Sequence, residues 1–136
     1  MIKLEVPFYA QQTRMDCGPT VLRMVIDYLG NKKHEHNSLC ELVDSDKSGI
    51  TFTLGIANAA AQLGFKTEFY TRALEPNPDV WELEFIKETT EGFEANKKKL
   101  NNLRKEAISH GVKLQEQSLS LNQILQKLKD GWIPIA

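Results

Sequence analysis

The apolar positions of this chain show two kinds of spacing. Apolar residues recur every three or four positions over residues 17–30, 39–43, 53–63, 80–109 and 121–128, which predicts helices. Alternating or continuous apolar runs over residues 2–6, 65–71, 112–115 and 132–136 predict strands. The chain is therefore expected to be a mixed helix and strand protein.

Capping residues fix several boundaries of these predicted elements. Ser38 is expected to cap the second helix, with Glu41 completing a capping box, and Ser120 is expected to cap the last helix. Gly30 and Gly64 are expected to end the first and third helices, since glycine readily adopts the left-handed backbone of a helix end. The helical tract over residues 80–109 is expected to be interrupted near Gly92.

The first helix begins at a cysteine. Pro19 suits a first helical turn, because it has no N–H to leave unpaired, and this places Cys17 at the helix start. There the unpaired N–H groups favour thiolate over thiol, whereas the neighbouring Asp16 carboxylate disfavours it. Cys17 is either an activated nucleophile or a small apolar core residue, and this stretch alone does not separate the two.

A resemblance favours the nucleophile. Gln11, five intervening residues, Cys17 and Gly18 resemble the oxyanion-hole glutamine and nucleophilic cysteine of papain-like peptidases, and residues 6–11 with 16–19 resemble the C39-like branch. Residues 23–30, 81–85 and 120–135 resemble, in order and spacing, the guanylyl-cyclase-domain-containing family, which shares that fold.

This resemblance implies a fold and a site. It implies an α+β, papain-like (C39-like) fold, as one domain over residues 1–136 that holds the helical half and the beginning of an antiparallel sheet. It also implies Cys17 as nucleophile and Gln11 in the oxyanion hole. The catalytic His and its Asp or Asn partner are expected beyond residue 136.

Charge and composition limit the class of binding partner and the cellular compartment that we expect. The 17 basic and 18 acidic residues give a net charge of -1, which argues against nucleic acid, since phosphate binding needs a basic face. No apolar run approaches a membrane span, and two cysteines without a signal peptide indicate a cytoplasmic protein with reduced thiols. The expected partner is a peptide or protein substrate.

Two patterns imitate metal sites, and neither is interpreted as one. His34, His36 and Cys40 lack a fourth ligand at a sensible spacing. Residues 44–49 imitate half of a calcium loop, but Gly55 occupies the twelfth position, where a carboxylate is required. No metal or cofactor is predicted. His110, before Gly111, is interpreted as a helix-capping residue and not as a catalytic one.

Three functions follow from these observations. The leading hypothesis is a C39-like cysteine hydrolase, either a peptidase or an amidase. The first alternative is a catalytically inactive module that binds peptides in the same cleft. The second alternative is a guanylyl cyclase, by family name only, because the sequence has neither a P-loop nor an obvious pair of metal-binding carboxylates.

Overall fold

The computed structural model describes residues 3–30, 32–43, 51–81, 83 and 92–136. Within these residues the chain is a mixed α/β protein with six helices and a two-stranded sheet. In chain order the elements are α1 (Cys17–Gly30), α2 (His36–Leu42), α3 (Thr53–Gln62), β1 (Glu68–Thr71), α4 (Pro78–Trp81), α5 (Phe93–Ser109), β2 (Lys113–Glu116) and α6 (Leu121–Lys129).

The strongest helical patterns predict the structure well. The helix expected from Cys17 is present as α1, and Gly30 is its last residue. The helix expected over residues 53–63 is α3, and Gly64 follows it with φ +88°, as its predicted role in ending the helix requires. None of the described helices is both long enough and apolar enough to cross a lipid bilayer.

The sheet corrects the predicted topology. Strands β1 and β2 confirm two of the expected strands, but they pair in parallel, with Glu68 opposite Lys113 and Thr71 opposite Glu116. The expected antiparallel sheet is therefore wrong for the described residues. The physical reason is the connection: the chain runs through α5 between the two strands, and such a helical crossover joins parallel neighbours.

Two apolar cores lie on either side of α3. The first joins α1, α2 and α3 through Leu22, Ile26, Leu39, Val43 and Ala59. The second joins α3, α5 and the residue before β2 through Leu54, Ala57, Leu103, Ala107 and Val112. The alanines of α3 allow its neighbours to pack closely on both sides.

The two ends of the chain do not form the expected strands. Leu4 and Val6 are half-buried and Glu5 between them is exposed, so the alternation is real, but the described residues 3–10 have no strand partner. Alternation reports which side chains are covered and not whether a ladder forms. Residues 132–136 are also not a strand, and the backbone N–H of Trp132 instead bonds to Lys127 at the end of α6.

The second helix begins earlier than expected. Ser38 was predicted as its N-cap, but α2 starts at His36, and Glu35 takes the cap position without a side-chain hydrogen bond. The prediction is wrong because the first turn is held by a tertiary contact of the His36 side chain, which local sequence does not reveal. The calcium-like residues 44–49 lie outside the described residues.

The long tract near Gly92 is broken as predicted. Gly92 has φ +96° and is the N-cap of α5, while residues 84–91 lie outside the described residues. At the other end of α5, His110 is the C-cap residue, and its Nδ1 lies 2.8 Å from Oδ1 of the buried Asn58 in α3. Asn58 also donates to Glu106, so a polar network ties α3 to α5.

The last helix is capped as predicted and attached to the sheet. The Ser120 side chain accepts from the N–H of Gln123, whose own side chain accepts from the Ser120 N–H, which completes a capping box. Lys127 of α6 bonds to Glu68 of β1 and lies 4.8 Å from the centre of the Trp132 ring.

Candidate functional site

Cys17 is the first residue of α1 and is exposed. The residues around it are buried: Asp16 before it, and Gly18, Pro19 and Thr20 after it. The helix begins with the hydrogen bond from the Thr20 N–H to the Asp16 carbonyl, at 3.1 Å. The local fold therefore presents one thiol to solvent from an otherwise buried first turn.

Gly18 lets this turn lie close to α3. A Cβ on Gly18 would be 3.1 Å from side-chain atoms of Thr51 and 3.2 Å from Cδ1 of Ile56. Few side chains pack this tightly, so a larger residue after Cys17 would push the start of α1 away from Thr51 and Ile56. Glycine at this position fixes how deeply the helix start is seated.

Gln11, the predicted oxyanion donor, is exposed in the segment that precedes α1. We call residues 11–16 the nucleophile loop. Within the described part of the chain, no hydrogen bond joins Gln11 to Cys17. The structure thus brings both predicted site residues to one exposed loop and helix start, and leaves their side chains unbonded to each other.

The Asp16 carboxylate organises the nucleophile loop. Its two oxygens accept hydrogen bonds from the backbone N–H groups of Gln12 at 3.0 Å and Thr13 at 3.1 Å. One of them, Oδ2, also lies 2.7 Å from Nε2 of the buried His36. Burial acts to raise the pKa of Asp16, but these three donors together hold the pKa below its ordinary value.

An ionised Asp16 determines which nitrogen of His36 carries a proton. An ionised carboxylate can only accept hydrogen bonds, so the Nε2 of His36 must carry a proton to donate to it. The sequence indicated only that Asp16 would oppose a thiolate at Cys17. In the structure the Asp16 carboxylate instead accepts hydrogen bonds from two backbone N–H groups and an imidazole.

His36, Asp16 and Cys40 together resemble a catalytic triad in composition but not in geometry. Cys40 Sγ lies 3.5 Å from Nε2 of His36, the same nitrogen that bonds to Asp16. A catalytic imidazole uses one nitrogen for the nucleophile and the other for the carboxylate. Burial, followed by the Asp16 charge, raises the pKa of the Cys40 thiol. Cys40 is therefore not an activated nucleophile.

All three histidines of the chain contact residues other than Cys17 at hydrogen-bond distance. His36 bonds to Asp16 and His110 lies against Asn58. His34 Nδ1 lies 2.6 Å from Oδ1 of Asp27, and the His34 N–H also bonds to that oxygen. In these arrangements none of them acts as a base for Cys17. The capping interpretation of His110 agrees with its position at the end of α5.

The side-chain positions of the described residues add no support for a metal site. Among the described residues, no three His, Cys, Asp or Glu side chains form a group that could hold a metal ion. The two buried aspartates near α1, Asp16 and Asp27, already accept hydrogen bonds from protein donors.

Sequence reasoning missed the role of Asp16 and of His36. The position of Asp16 before a helix start predicts acceptance from N–H groups of the first helical turn, whereas Asp16 accepts from Gln12 and Thr13, which precede it. The His36 contact spans 20 positions, and no local pattern predicts it.

Comparison with known proteins identifies the family. A family described as guanylylate cyclase matches residues 6–136, which is nearly the whole chain. The chain belongs to the guanylylate cyclase family. This confirms the part of the resemblance that pointed to guanylyl-cyclase-domain-containing proteins. No curated protein and no solved structure matches the chain, so for this member of the guanylylate cyclase family the papain-like fold stays a prediction.

Proposed function

We propose that this protein is a cysteine hydrolase, a peptidase or amidase of C39-like type, with Cys17 as nucleophile. The observation that carries the proposal is the exposure of Cys17 at the start of a 14-residue helix whose other first-turn residues are buried. Nucleophilic cysteines are commonly found at helix starts, where unpaired N–H groups stabilise negative charge.

The proposed reaction uses the second exposed residue of the site. The Cys17 sulfur attacks a substrate carbonyl carbon, and the carbonyl oxygen becomes an oxyanion that accepts from the Gln11 side-chain amide and the Cys17 backbone N–H. Attack releases the thiol proton to water. Collapse of the intermediate breaks the bond between carbon and nitrogen, leaves a thioester, and the departing amine takes up a proton from water. Water then hydrolyses the thioester and releases the acid. Proton transfer is the part of this scheme that the three histidines, as bonded here, do not supply.

The test separates acylation of the thiol from its alkylation. A p-nitrophenyl ester forms an oxyanion as it acylates a thiol, whereas iodoacetamide alkylates by displacement and forms none. We expect Gln11→Ala to slow Cys17 acylation by about 100- to 1,000-fold and to leave its alkylation rate unchanged. Gln12→Ala is the matched control, because it truncates the adjacent exposed amide and keeps the backbone N–H that Asp16 accepts.

Mass spectrometry of the modified protein assigns the acyl group to Cys17 or to Cys40, and Cys17→Ser should abolish the adduct. Equal acylation rates in the Gln11→Ala and Gln12→Ala variants would refute the oxyanion role. An adduct that persists in Cys17→Ser would refute the nucleophile. Retained binding of peptides in Cys17→Ala, without acylation of the parent protein, would instead support a non-catalytic peptide-binding module.

A guanylyl cyclase activity is a second candidate, and the family description is the observation that favours it. Its test is incubation with GTP and Mg²⁺ or Mn²⁺, with detection of cyclic nucleotide and pyrophosphate. On this alternative Cys17→Ser leaves product formation unchanged, since a cyclase has no use for the thiol. Absence of product with the parent protein would refute it.

A further inference from the structure

Two aspartate–histidine pairs connect α1 to the segment that leads into α2. Asp16, just before α1, bonds to His36, and Asp27, near the end of α1, bonds to His34. The closest distances are 2.7 Å and 2.6 Å. Both aspartates and His36 are buried, and His34 is half-buried. The two pairs are thus chemically alike and lie at opposite ends of the same helix.

The two aspartates differ in the other groups that they contact. Asp27 also accepts from the Tyr9 hydroxyl at 3.0 Å, and Arg23 lies 3.8 Å from the same oxygen. Asp16 accepts from the N–H groups of two consecutive residues of the nucleophile loop, Gln12 and Thr13. The first pair therefore fixes the backbone between Gln11 and Cys17, and the second fixes the opposite end of α1.

His36 has a rigid support for this task. It is the first residue of α2 and is buried, and the next turn of α2 is anchored in the first apolar core by Leu39. Hydrogen bonds connect His36 to Asp16, and Asp16 to the N–H groups of the nucleophile loop. Displacing His36 would free the Asp16 carboxylate to turn and release Gln12 and Thr13.

We propose that Asp16 and His36 are positioning residues that hold Gln11 and Cys17 in the geometry of the reaction, an inference that rests on the proposed cysteine hydrolase function. Neither residue touches the substrate. They act on the path of the backbone between the oxyanion donor and the nucleophile. A misplacement of about 1 Å between such groups is enough to cost about 100-fold in rate.

The experiment compares the two pairs. His36→Ala should lower the rate of Cys17 acylation, divided by its alkylation rate, by about 10- to 100-fold. The matched control His34→Ala removes the equivalent pair and should change this ratio less than about twofold. His36→Gln should restore most of the ratio, because the glutamine amide nitrogen can donate near the position of Nε2. A merely structural role would lower this ratio equally in both alanine variants, and His36→Gln would not restore it.

A second measurement does not depend on acylation. Amide hydrogen exchange at Gln12 and Thr13 should speed up in His36→Ala and stay unchanged in His34→Ala. If His36→Ala does not fold, Asp16→Asn takes its place, since it keeps the shape of the side chain and removes the charge. If the parent protein is not acylated at Cys17, the proposed function is wrong. Equal exchange in the two variants overturns the positioning role whichever way acylation turns out.

Discussion

Replacing Gly55 with alanine should destabilise the protein, although the same change stabilises most helices. Gly55 lies in the first turn of α3, and its Cα faces the end of α2. A Cβ built on Gly55 would lie 2.6 Å from the carbonyl oxygen of Val43, the C-cap residue of α2. The neighbour is a backbone atom and cannot turn aside as a side chain would.

The magnitude follows from two opposing effects. Alanine in a helix is favoured over glycine by about 1 kcal/mol, and less than this in a first turn. Ordinary contacts between carbon and oxygen begin at about 3.3 Å, so α2 and α3 must separate by several tenths of an ångström. Overpacking of this kind costs about 1–3 kcal/mol. The net expectation is a loss of about 1–2 kcal/mol of unfolding free energy.

Urea unfolding followed by circular dichroism measures this loss. The control is Gly30→Ala, whose new Cβ would meet the ring edge of Phe65, at 3.3 Å. That side chain can yield, so the control should stay within about 0.5 kcal/mol of the parent protein. A Gly55→Ala variant as stable as the parent, or more stable, would show that α2 and α3 are not in backbone contact and would refute the reasoning.

Three further outcomes are expected. Leu22→Ala, at a fully buried position, should cost about 2–5 kcal/mol in urea unfolding, whereas Leu121→Ala, at a position 70% exposed, should cost less than about 0.5 kcal/mol. Equal losses would contradict the assigned core. Ser120→Ala should cost about 1 kcal/mol by removing the capping box of α6, and an unchanged midpoint would argue against that cap. The pKa of Asp16 is lowered in the folded protein, so its contribution is complete above the unfolded value near 3.8 and is lost as the pH falls through the lower folded value. Asp16→Asn should therefore reduce the loss of stability on acidification below about pH 4, and an unaltered pH profile would contradict the pairing.

Local signals in the sequence predicted the helices well, because their ends are set by nearby residues. Pro19 and Gly64 mark a helix start and a helix end that the structure confirms. Ser120 needs only Gln123, three positions away, to form its capping box. Where one turn of chain contains all the partners, sequence spacing is enough.

Sequence failed where the deciding partner is distant. Ser38 has the local chemistry of an N-cap, yet α2 starts at His36, whose side chain bonds to Asp16, 20 positions earlier and just before α1. The direction of the sheet was missed for a related reason. Strand patterns specify which side chains are covered, whereas the parallel pairing depends on the path of the chain through α5.

The candidate site divides in the same way. Gln11 and Cys17 stand out from their spacing, and both are exposed in the structure. Their function stays a prediction. The hydrogen bonds that shape the loop between them depend on a folded α2 and could not be read from the motif.

The position of α3 between the two apolar cores has a consequence for how the protein unfolds. Ala59 belongs to the core shared with α1 and α2, and Ala57 belongs to the core shared with α5. If α3 detaches, both cores lose a wall at the same time. The helices α1 and α2 on one side and α5 on the other are therefore coupled through α3. Opening at either end should raise the hydrogen exchange of α3 together with the rest, as a single cooperative unit.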